Sequence, residues 1–508
     1  MATKKAAKKS RSKKAAKKPA KKAAKKAAKK ATKKTAGKRP AKAVGAKGNL
    51  RVRMYRIGFG DFFLITVPTR SGPQHILIDC GVHAGDIKSM AACVQDLAQE
   101  TDRKLALVIA THYHADHLSG FATQYDEFTK FEVGMVWITN RLDPHHKGAS
   151  KFKAQISALA GQLQLRLGAR KDQAGREAMF KVSDALGIQL GAAKKEGGNE
   201  KALRLLTEGF KNKPPVKYYQ GGDDPELPKS LKGFITAELL GPAPLDSGKE
   251  FASSDNKNAQ YIVRAAENGL PPSDTLLPFE KDWPATAANY PDAAFYEYRT
   301  EEQAKAKKSG TAKFMESILE SAQPDVLLAM ADAVDGTLNN QSLVVLFTCT
   351  GKKLLFVGDA QWGNWSYWLY GKKTTGKTVP GIEKRAKDIL GSIDFYKVGH
   401  HGSSNANPIP AVAAINPTCA SMCSTEVGDE DTGDPQKNRP YGKIKSHTEV
   451  PRIKLMEELE KRTKNRLVRS DWIPITGVKA SPEAKGQLAK LPANFSKGDL
   501  FVDYIFPK

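Results

Sequence analysis

Short apolar runs alternate with longer helical patterns along most of the chain, and this alternation predicts a mixed α/β fold. Apolar and β-branched runs that end at turn residues are typical of strands, and they cover residues 62–67, 75–79, 105–110, 133–138, 233–240, 342–347, 353–357 and 393–398. Helical patterns lie near 86–100, 149–213, 300–321 and 450–463. The turn residues Thr350 and Gly351 predict a hairpin. This mixture favours an α/β or α+β sandwich over a bundle or a barrel.

The first 48 residues have no such pattern. They contain 21 Lys and Arg and no acidic residue, whereas the whole chain has 81 basic and 54 acidic residues and a net charge of +27. The remaining 60 bases and 54 acids give residues 49–508 a net charge of only +6. Repeated Lys-Lys-Ala-Ala units have nothing large and apolar to bury, so we predict a disordered basic tail over 1–48. Residues 49–508 are predicted to form one enlarged domain with helical insertions at about 141–215 and 245–336.

The charge of the tail predicts a polyanionic partner. A segment of this kind binds nucleic acid by releasing counterions, with little sequence preference, and it resembles the Lys/Ala/Pro-rich tails of linker histones and histone-like bacterial proteins. A solubilising or targeting extension is the alternative, although a transit peptide would contain more Arg and Ser. The residues expected to contact DNA are paired lysines, namely Lys13, Lys14, Lys17, Lys18, Lys21, Lys22, Lys25 and Lys26.

Cysteine usage and hydropathy indicate the compartment. The five cysteines are scattered and form no CxxC pair, which argues for a reducing environment and against a disulfide framework. No apolar stretch approaches the roughly 20 residues that span a bilayer, and the N-terminus lacks the apolar core of a secretory signal. We therefore expect a cytoplasmic protein without a membrane partner, located on the nucleoid if the tail binds DNA. No protein partner is indicated.

The segment Thr111-His-Tyr-His-Ala-Asp-His-Leu-Ser-Gly120 is the strongest chemical signal in the chain. In an extended segment alternate side chains share a face, so His112 and His114 can bind one cation together. Asp116 and His117, on the turn that we expect to follow, can bind a second cation. Imidazole and carboxylate groups are the usual ligands of zinc and comparable divalent ions. The segment therefore predicts a metal site.

Three further residues follow predicted strands and can complete this site. Asp359 comes after the strand at 353–357, and a carboxylate there can bridge two cations with one oxygen for each. His400 follows the strand at 393–398 and can supply another imidazole. Asp79 ends the strand at 75–79 and is placed to orient a ligand histidine.

Together these motifs resemble the metallo-β-lactamase superfamily of metal-dependent hydrolases. The hydrolase domain of ComEC-type DNA-uptake proteins is the most similar, through Gly58-Phe-Gly-Asp61, Asn339-Asn-Gln-Ser-Leu-Val344, Val357-Gly-Asp-Ala360 and Lys397-Val-Gly-His-His-Gly-Ser403. The resemblance implies an αββα sandwich with two divalent ions along one sheet edge. Zinc is expected, with manganese or iron as alternatives. The implied ligands are His112, His114, Asp116, His117, Asp359 and His400.

One departure from the superfamily pattern concerns the first ion. A third histidine is normally found between the His-rich motif and the bridging aspartate, yet this chain has only His145 and His146 there. We expect these two to be exposed loop residues. ComEC-type domains are similar to this chain in carrying Asn-x-Ser nearby, here Asn340, which is a weak zinc ligand. His447 is another candidate for the site.

The expected reaction is hydrolysis by a water that two cations activate. Asp116 could orient that water, and His401, Ser403 or His447 could protonate the leaving group or bind a substrate oxyanion. His400 fits the His-x-Gly pattern of the superfamily better than His401 does. The expected function is a phosphodiesterase or nuclease tethered to DNA by the tail. The alternatives are a hydrolase of a small ester, lactone or nucleotide, and an inactive DNA-binding or scaffold protein.

Overall fold

The computed structural model describes ten parts of the chain. The described residues are 48–83, 87–167, 175, 178–179, 181–183, 198–245, 324–371, 382–426, 450–472 and 491–507. The basic tail with its lysine pairs, the predicted helix at 300–321 and His447 lie outside them. The expectations for these segments therefore stay predictions.

Most of the strands belong to two sheets. The strands are β1 Arg51–Tyr55, β2 Phe63–Val67, β3 Gln74–Ile78, β4 Lys104–Leu105, β5 Leu107–Ala110, β6 Glu132–Val133, β7 Val136–Thr139, β8 Val216–Tyr219, β9 Ile235–Gly241, β10 Val344–Cys349, β11 Lys352–Phe356, β12 Phe395–Lys397, β13 Ala420–Cys423, β14 Leu467–Arg469, β15 Phe495–Lys497 and β16 Phe501–Ile505. The first sheet has the order β15-β16-β1-β2-β3-β5-β7-β8 and the second β14-β13-β12-β11-β10-β9, while β4 and β6 pair separately.

Both sheets combine antiparallel and parallel strands. In the first sheet β1 to β3 are antiparallel neighbours, and β3, β5, β7 and β8 are parallel. In the second, β9 to β11 are antiparallel and β11 to β14 are parallel. The predicted hairpin at Thr350 and Gly351 is confirmed, and both residues adopt the positive φ that a tight two-residue turn requires. Parallel strands end at a common edge, so the loops that follow β3 and β5, and those that follow β11 and β12, emerge together.

Helices cover the outer faces of both sheets. They are α1 Met90–Thr101, α2 Ala115–Thr123, α3 Tyr125–Phe128, α4 Lys147–Leu167, α5 Gly198–Arg204, α6 Pro324–Asn339, α7 Trp362–Tyr370, α8 Lys384–Leu390, α9 Ile409–Ala414 and α10 Ile453–Arg462. A π-helical turn, Leu205–Gly209, follows α5. The layers follow the αββα order that the resemblance implies.

Strand β5 illustrates how the sequence creates these layers. Leu107 and Ile109 enter the apolar core between the two sheets, whereas Val108 and Ala110 pack beneath the helices on the other face. Because helices and the second sheet cover both faces, the strand is apolar at every position, as buried parallel strands usually are. This strand ends at the edge of the sandwich, so the His-rich segment that follows it lies at that edge.

Helices α4 and α6 fall in the two predicted insertions and pack against each other. Their shared apolar cluster includes Phe152, Leu159 and Leu163 of α4 with Val334 and Leu338 of α6. Two amphipathic helices bury their apolar stripes in this way without entering the central sandwich. The described parts of the insertions thus add a helical layer at one side of the domain.

Candidate metal centre

The loops after four strands carry the candidate site residues to one place. Asp79 follows β3, the His-rich segment follows β5, Asp359 follows β11 and His401 follows β12. Asp79, His400 and His401 all have positive φ values, between 44° and 54°. Residues other than Gly rarely adopt this backbone conformation, and residues strained in this way are concentrated at functional sites.

Asp116 and His117 differ from the expected turn position. His114 is the N-cap of α2, so both residues lie in the first helical turn. Asp116 is 2 % exposed and His117 is fully buried. Gly81 explains part of this burial, because a Cβ there would lie 2.5 Å from backbone atoms of Asp116 and His117. The loop after β3 therefore packs directly against the start of α2.

Four donor side chains converge and form what we call the four-donor group: Asp116, His117, Asp359 and His401. His401 Nε2 lies 2.8 Å from Asp116 Oδ2, and His117 Nε2 lies 3.1 Å from Asp359 Oδ2. Two further separations are 3.7 Å for His401 to Asp359 and 3.8 Å for His117 to Asp116. Four donors around a tetrahedral zinc ion stand about 3.3 Å apart. The group therefore has the spacing of a tetrahedral cation site.

Neighbouring acceptors orient both imidazoles of this group. His117 donates from Nδ1 to Asp79 Oδ2 over 2.7 Å, and His401 donates from Nδ1 to the carbonyl oxygen of Ser424 over 2.7 Å. Asp79 is itself held by the backbone N–H of Thr111 at 2.8 Å and by its hydroxyl at 2.7 Å. Histidines that bind metals are usually fixed through their second nitrogen in this way. Both Nε2 atoms are consequently turned inward.

Buried atoms of the four-donor group lack hydrogen-bond partners among the described residues. These atoms are Asp116 Oδ1, His117 Nε2 and Asp359 Oδ2. Buried polar atoms in proteins nearly always have a partner, and two of these atoms, His117 Nε2 and Asp359 Oδ2, lie 3.1 Å apart within the converging donors. The residues present therefore fit a divalent cation.

The charges of Asp116 and of the histidines around it depend on burial and on one another. Burial opposes ionisation of Asp116, but His83, His117 and His401 outweigh it and hold the pKa of Asp116 well below its usual range. Burial opposes the protonation of His117 and His401, but Asp359 and Asp116 outweigh it and raise the pKa values of both imidazoles, whereas burial and the neighbouring His117 and His114 lower the pKa of His112 outside the group. An ionised carboxylate and a neutral imidazole are the forms that bind metal ions, so a cation in the group would take the place of the protons on His117 and His401.

A second, smaller set contains His112 and His114, with Asp116 nearby. His112 Nε2 lies 3.1 Å from His114 Nδ1, and the two rings stand at 73° to each other. Asp335 of α6 approaches this pair from the second insertion, with Oδ1 3.9 Å from His114 Nε2. Sequence reasoning missed Asp335, because no motif marks it and only the packing of α6 brings it here.

Three candidates for a third ligand of the first ion, Asn340, His145 and His146, have other surroundings. Asn340 is buried, but its side-chain oxygen accepts the backbone N–H of Asn364 over 3.1 Å. His145 and His146 are exposed at the start of α4 and belong to none of the possible metal groups among the described residues. The prediction that these two are exposed is confirmed.

His401, rather than the expected His400, belongs to the four-donor group. The left-handed backbone turns His401, fully buried, into the four-donor group, whereas the side chain of His400 is 17 % exposed. His400 Nε2 still lies 3.7 Å from Asp359 Oδ2, so it borders the group. Ser403 donates to Asn405 Oδ1 of its own loop over 2.7 Å.

Lys397 and Asp61 also border the group, although the motifs that contain them gave no hint of a role. Lys397 Nζ contacts Asp61 Oδ2, donates to the carbonyl oxygen of Gly358 over 2.9 Å and lies 3.4 Å from Asp359 Oδ1. Burial works against the charge of Lys397, but the carboxylates of Asp61 and Asp359 outweigh it and raise its pKa above the usual range. The site therefore contains a fixed ammonium.

Comparison with known proteins agrees with this geometry. Residues 57–128 match the family model described as the Metallo-beta-lactamase superfamily, a span that contains the whole His-rich segment. No curated protein matches the chain. Among the described helices, none has the length and apolar character that a membrane crossing needs. The family match and the buried donors together indicate a hydrolase domain of the metal-dependent type.

Proposed function

We propose that this protein is a metal-dependent phosphodiesterase or nuclease that its basic tail holds on DNA. The observation that carries the hydrolase assignment is the four-donor group, in which four side chains converge and buried atoms of Asp116, His117 and Asp359 lack hydrogen-bond partners among the described residues. The match to the Metallo-beta-lactamase superfamily supports hydrolysis in general. The phosphodiester substrate rests on the similarity to ComEC-type domains and on the 21 positive charges of the tail.

Two divalent ions would be held by these residues. The first would bind to His112 and His114, and the second to Asp116, His117, Asp359 and His401. The mixed imidazole and carboxylate donors suit zinc best, with manganese or iron as alternatives. When bound, such ions polarise the scissile bond and make water a stronger nucleophile near neutral pH.

The side chains of the protein would divide the remaining tasks. Asp79 fixes the ring of His117, and Ser424 fixes that of His401. Asp116 offers Oδ1 to orient the attacking water, because this oxygen has no other hydrogen-bond partner among the described residues. We assign His400, the more exposed neighbour, to substrate contact, and keep His447 and Ser403 as candidate proton donors.

The tail would supply affinity for nucleic acid and a location on the nucleoid in the cytoplasm. Its lysine pairs, Lys13 to Lys26, would neutralise phosphates and release counterions. A truncated protein that begins at Asn49 keeps every proposed ligand and a net charge of +6. In a salt-titrated binding assay it should lose most of the affinity for duplex DNA. Equal affinity of the full-length and truncated proteins would refute the tether.

An activity panel tests the substrate class. Metal-reconstituted protein is assayed on single- and double-stranded DNA, RNA, a model phosphodiester, a carboxylic ester and a lactone. We expect metal-dependent turnover of the phosphodiesters that a chelator abolishes. Turnover of the ester or lactone alone would establish the small-molecule alternative. Metal binding without turnover of any substrate would favour an inactive DNA-binding protein.

A further inference from the structure

Lys397 occupies an unusual position for a lysine. Its side chain is 2 % exposed, and its ammonium group meets oxygens of Asp61, Gly358 and Asp359 from two different loops. A buried charge is costly unless it is paired and hydrogen-bonded. All three of these partners are oxygens, so the ammonium is well satisfied where it stands.

Asp61 is the closer counter-ion of this lysine. Lys397 Nζ is in direct contact with Asp61 Oδ2 and 3.4 Å from Asp359 Oδ1. Asp61 also stands near both ligand histidines, with Oδ2 3.8 Å from His117 Nδ1 and Oδ1 3.8 Å from His401 Nδ1. The lysine is thus held by a carboxylate that lies outside the four-donor group and directly beside it.

The two oxygens of Asp359 therefore have different neighbours. Oδ2 lies 3.1 Å from His117 Nε2, inside the four-donor group, whereas Oδ1 faces the ammonium of Lys397. A carboxylate that bridges two cations uses one oxygen for each. Here the ammonium of Lys397 already lies beside one of the two oxygens of Asp359.

We propose that Lys397 is a positioning residue that replaces part of a second metal ion, so that the protein binds one ion tightly and a second one weakly. The ammonium aims Asp359 Oδ2 at the four-donor group and occupies Oδ1. Because the ammonium stands on Oδ1, that oxygen is not available to a further cation at His112 and His114, where Asp116 but no third imidazole joins the donor set among the described residues. This inference rests on the proposed metal centre and adds an order of affinities to it.

Zinc titration of the full-length protein tests the order of affinities. Metal-free protein is titrated against a chromophoric chelator, and bound zinc is counted by elemental analysis after dialysis. We expect one ion per chain to survive dialysis and a second to bind at least about 10-fold more weakly. Two ions of equal affinity would overturn the inference and leave the proposed function intact. Absence of any bound zinc would overturn the proposed function itself.

Substitution of the lysine separates positioning from mere structural support. Lys397→Met keeps the length of the side chain and removes its charge, so the second ion should bind at least about 10-fold more tightly relative to the first. Lys397→Arg keeps the charge and should preserve the unequal affinities. Lys353→Met is the matched control, because the ammonium of Lys353, in β11, donates to Ser392 over 2.8 Å. If Lys397 had only a structural role, Lys397→Met would instead weaken the binding of both ions together.

Asp61→Asn provides a second variant if Lys397→Met does not fold. The ammonium then loses its own counter-ion and must rely on Asp359, which competes with the ion in the four-donor group. The tight ion should bind about 10-fold to 100-fold more weakly, within the range of changes around metal ligands. Unchanged affinity in a folded Asp61→Asn protein would overturn the inference.

Discussion

Two clusters of buried charge, one in the first sheet and one where loops of both sheets meet, differ in how many of their polar atoms have hydrogen-bond partners. We call one the Arg53 cluster; it consists of Arg51, Arg53, Tyr55, Asp96, Glu100 and Asp503. Arg53 binds Asp503 through two hydrogen bonds of 2.9 and 3.0 Å and Asp96 through a third of 2.7 Å. Arg53 also stacks over the ring of Phe501 at 3.3 Å. Its charges pair with one another.

The metal centre shows the opposite pattern. Asp116, His117 and Asp359 each retain a buried atom without a hydrogen-bond partner among the described residues, whereas in the Arg53 cluster Nε of Arg51 is the one such atom. The ion pairs of Arg51 and Arg53 tie β1 to β16 and α1, which is a structural task. Unsatisfied atoms that converge are expensive to fold, so they indicate a ligand that is bound later. The comparison distinguishes a functional cluster from a structural one without reference to any motif.

The largest expected effect comes from Asp116→Asn in the metal centre. The change keeps shape and removes a metal ligand, so kcat/KM on the best substrate of the panel should fall on the order of 1,000-fold, or about 4 kcal/mol. His145→Ala, an exposed histidine outside the centre, serves as control and should stay near wild type. An equal loss in both variants would place His145 in the site and refute the ligand assignment.

An Asp-to-Asn substitution in the Arg53 cluster should instead lower stability and leave activity nearly unchanged. Asp503→Asn removes the carboxylate that pairs with Arg53, and the free energy of unfolding should fall by about 3 kcal/mol, the cost of breaking a buried pair. Activity per folded molecule should remain within about 2-fold, because Asp503 pairs with Arg51 and Arg53 rather than with the metal centre. Urea unfolding and a parallel substrate assay measure the two effects. A folded Asp503→Asn protein without activity would contradict the division between clusters.

His75, beside the Arg53 cluster, should make stability depend on pH. Burial lowers the pKa of His75 to about 4 from its usual 6.5, and the unfolded chain therefore binds the proton more readily. Stability should rise with pH between 4 and 6.5 and decline as pH falls through this window, by at most about 3 kcal/mol. His75→Gln should flatten that slope. A slope that is the same in both proteins would show that other groups control it.

Asp79→Asn should have the smallest effect of the four. Asp79 binds no ion itself but fixes the ring of His117, and loss of such support lowers metal affinity about 10-fold to 100-fold. Zinc competition should detect the change, and excess zinc should restore most of the activity. Persistent inactivity at saturating zinc would mean that Asp79 does more than orient His117.

Local patterns in the sequence account for much of this architecture. The apolar run of β5 followed by His112 and His114 predicts both the strand and the pairing of the two rings. Likewise, Asp359 follows an apolar strand, and its position at the sheet edge results from that strand alone. Such elements are predictable because each depends on residues that are close together in the chain.

Other parts of the site depend on contacts that are distant in sequence. Lys397 meets Asp61, and Asp335 approaches His114 only because α6 packs against α4. Whether His400 or His401 enters the four-donor group depends on the left-handed backbone conformations of both residues, and no sequence pattern predicts these. In the same way, β16 pairs with β1 across the length of the domain. Tertiary packing decides these features.

Anomalous scattering at the zinc absorption edge tests the central claim most directly. Crystals of the full-length protein grown with zinc should give their strongest anomalous peak among Asp116 Oδ2, His117 Nε2, Asp359 Oδ2 and His401 Nε2. A weaker peak should lie beside His112 and His114. The strongest peak at any other place, or none within the four-donor group, would contradict the account.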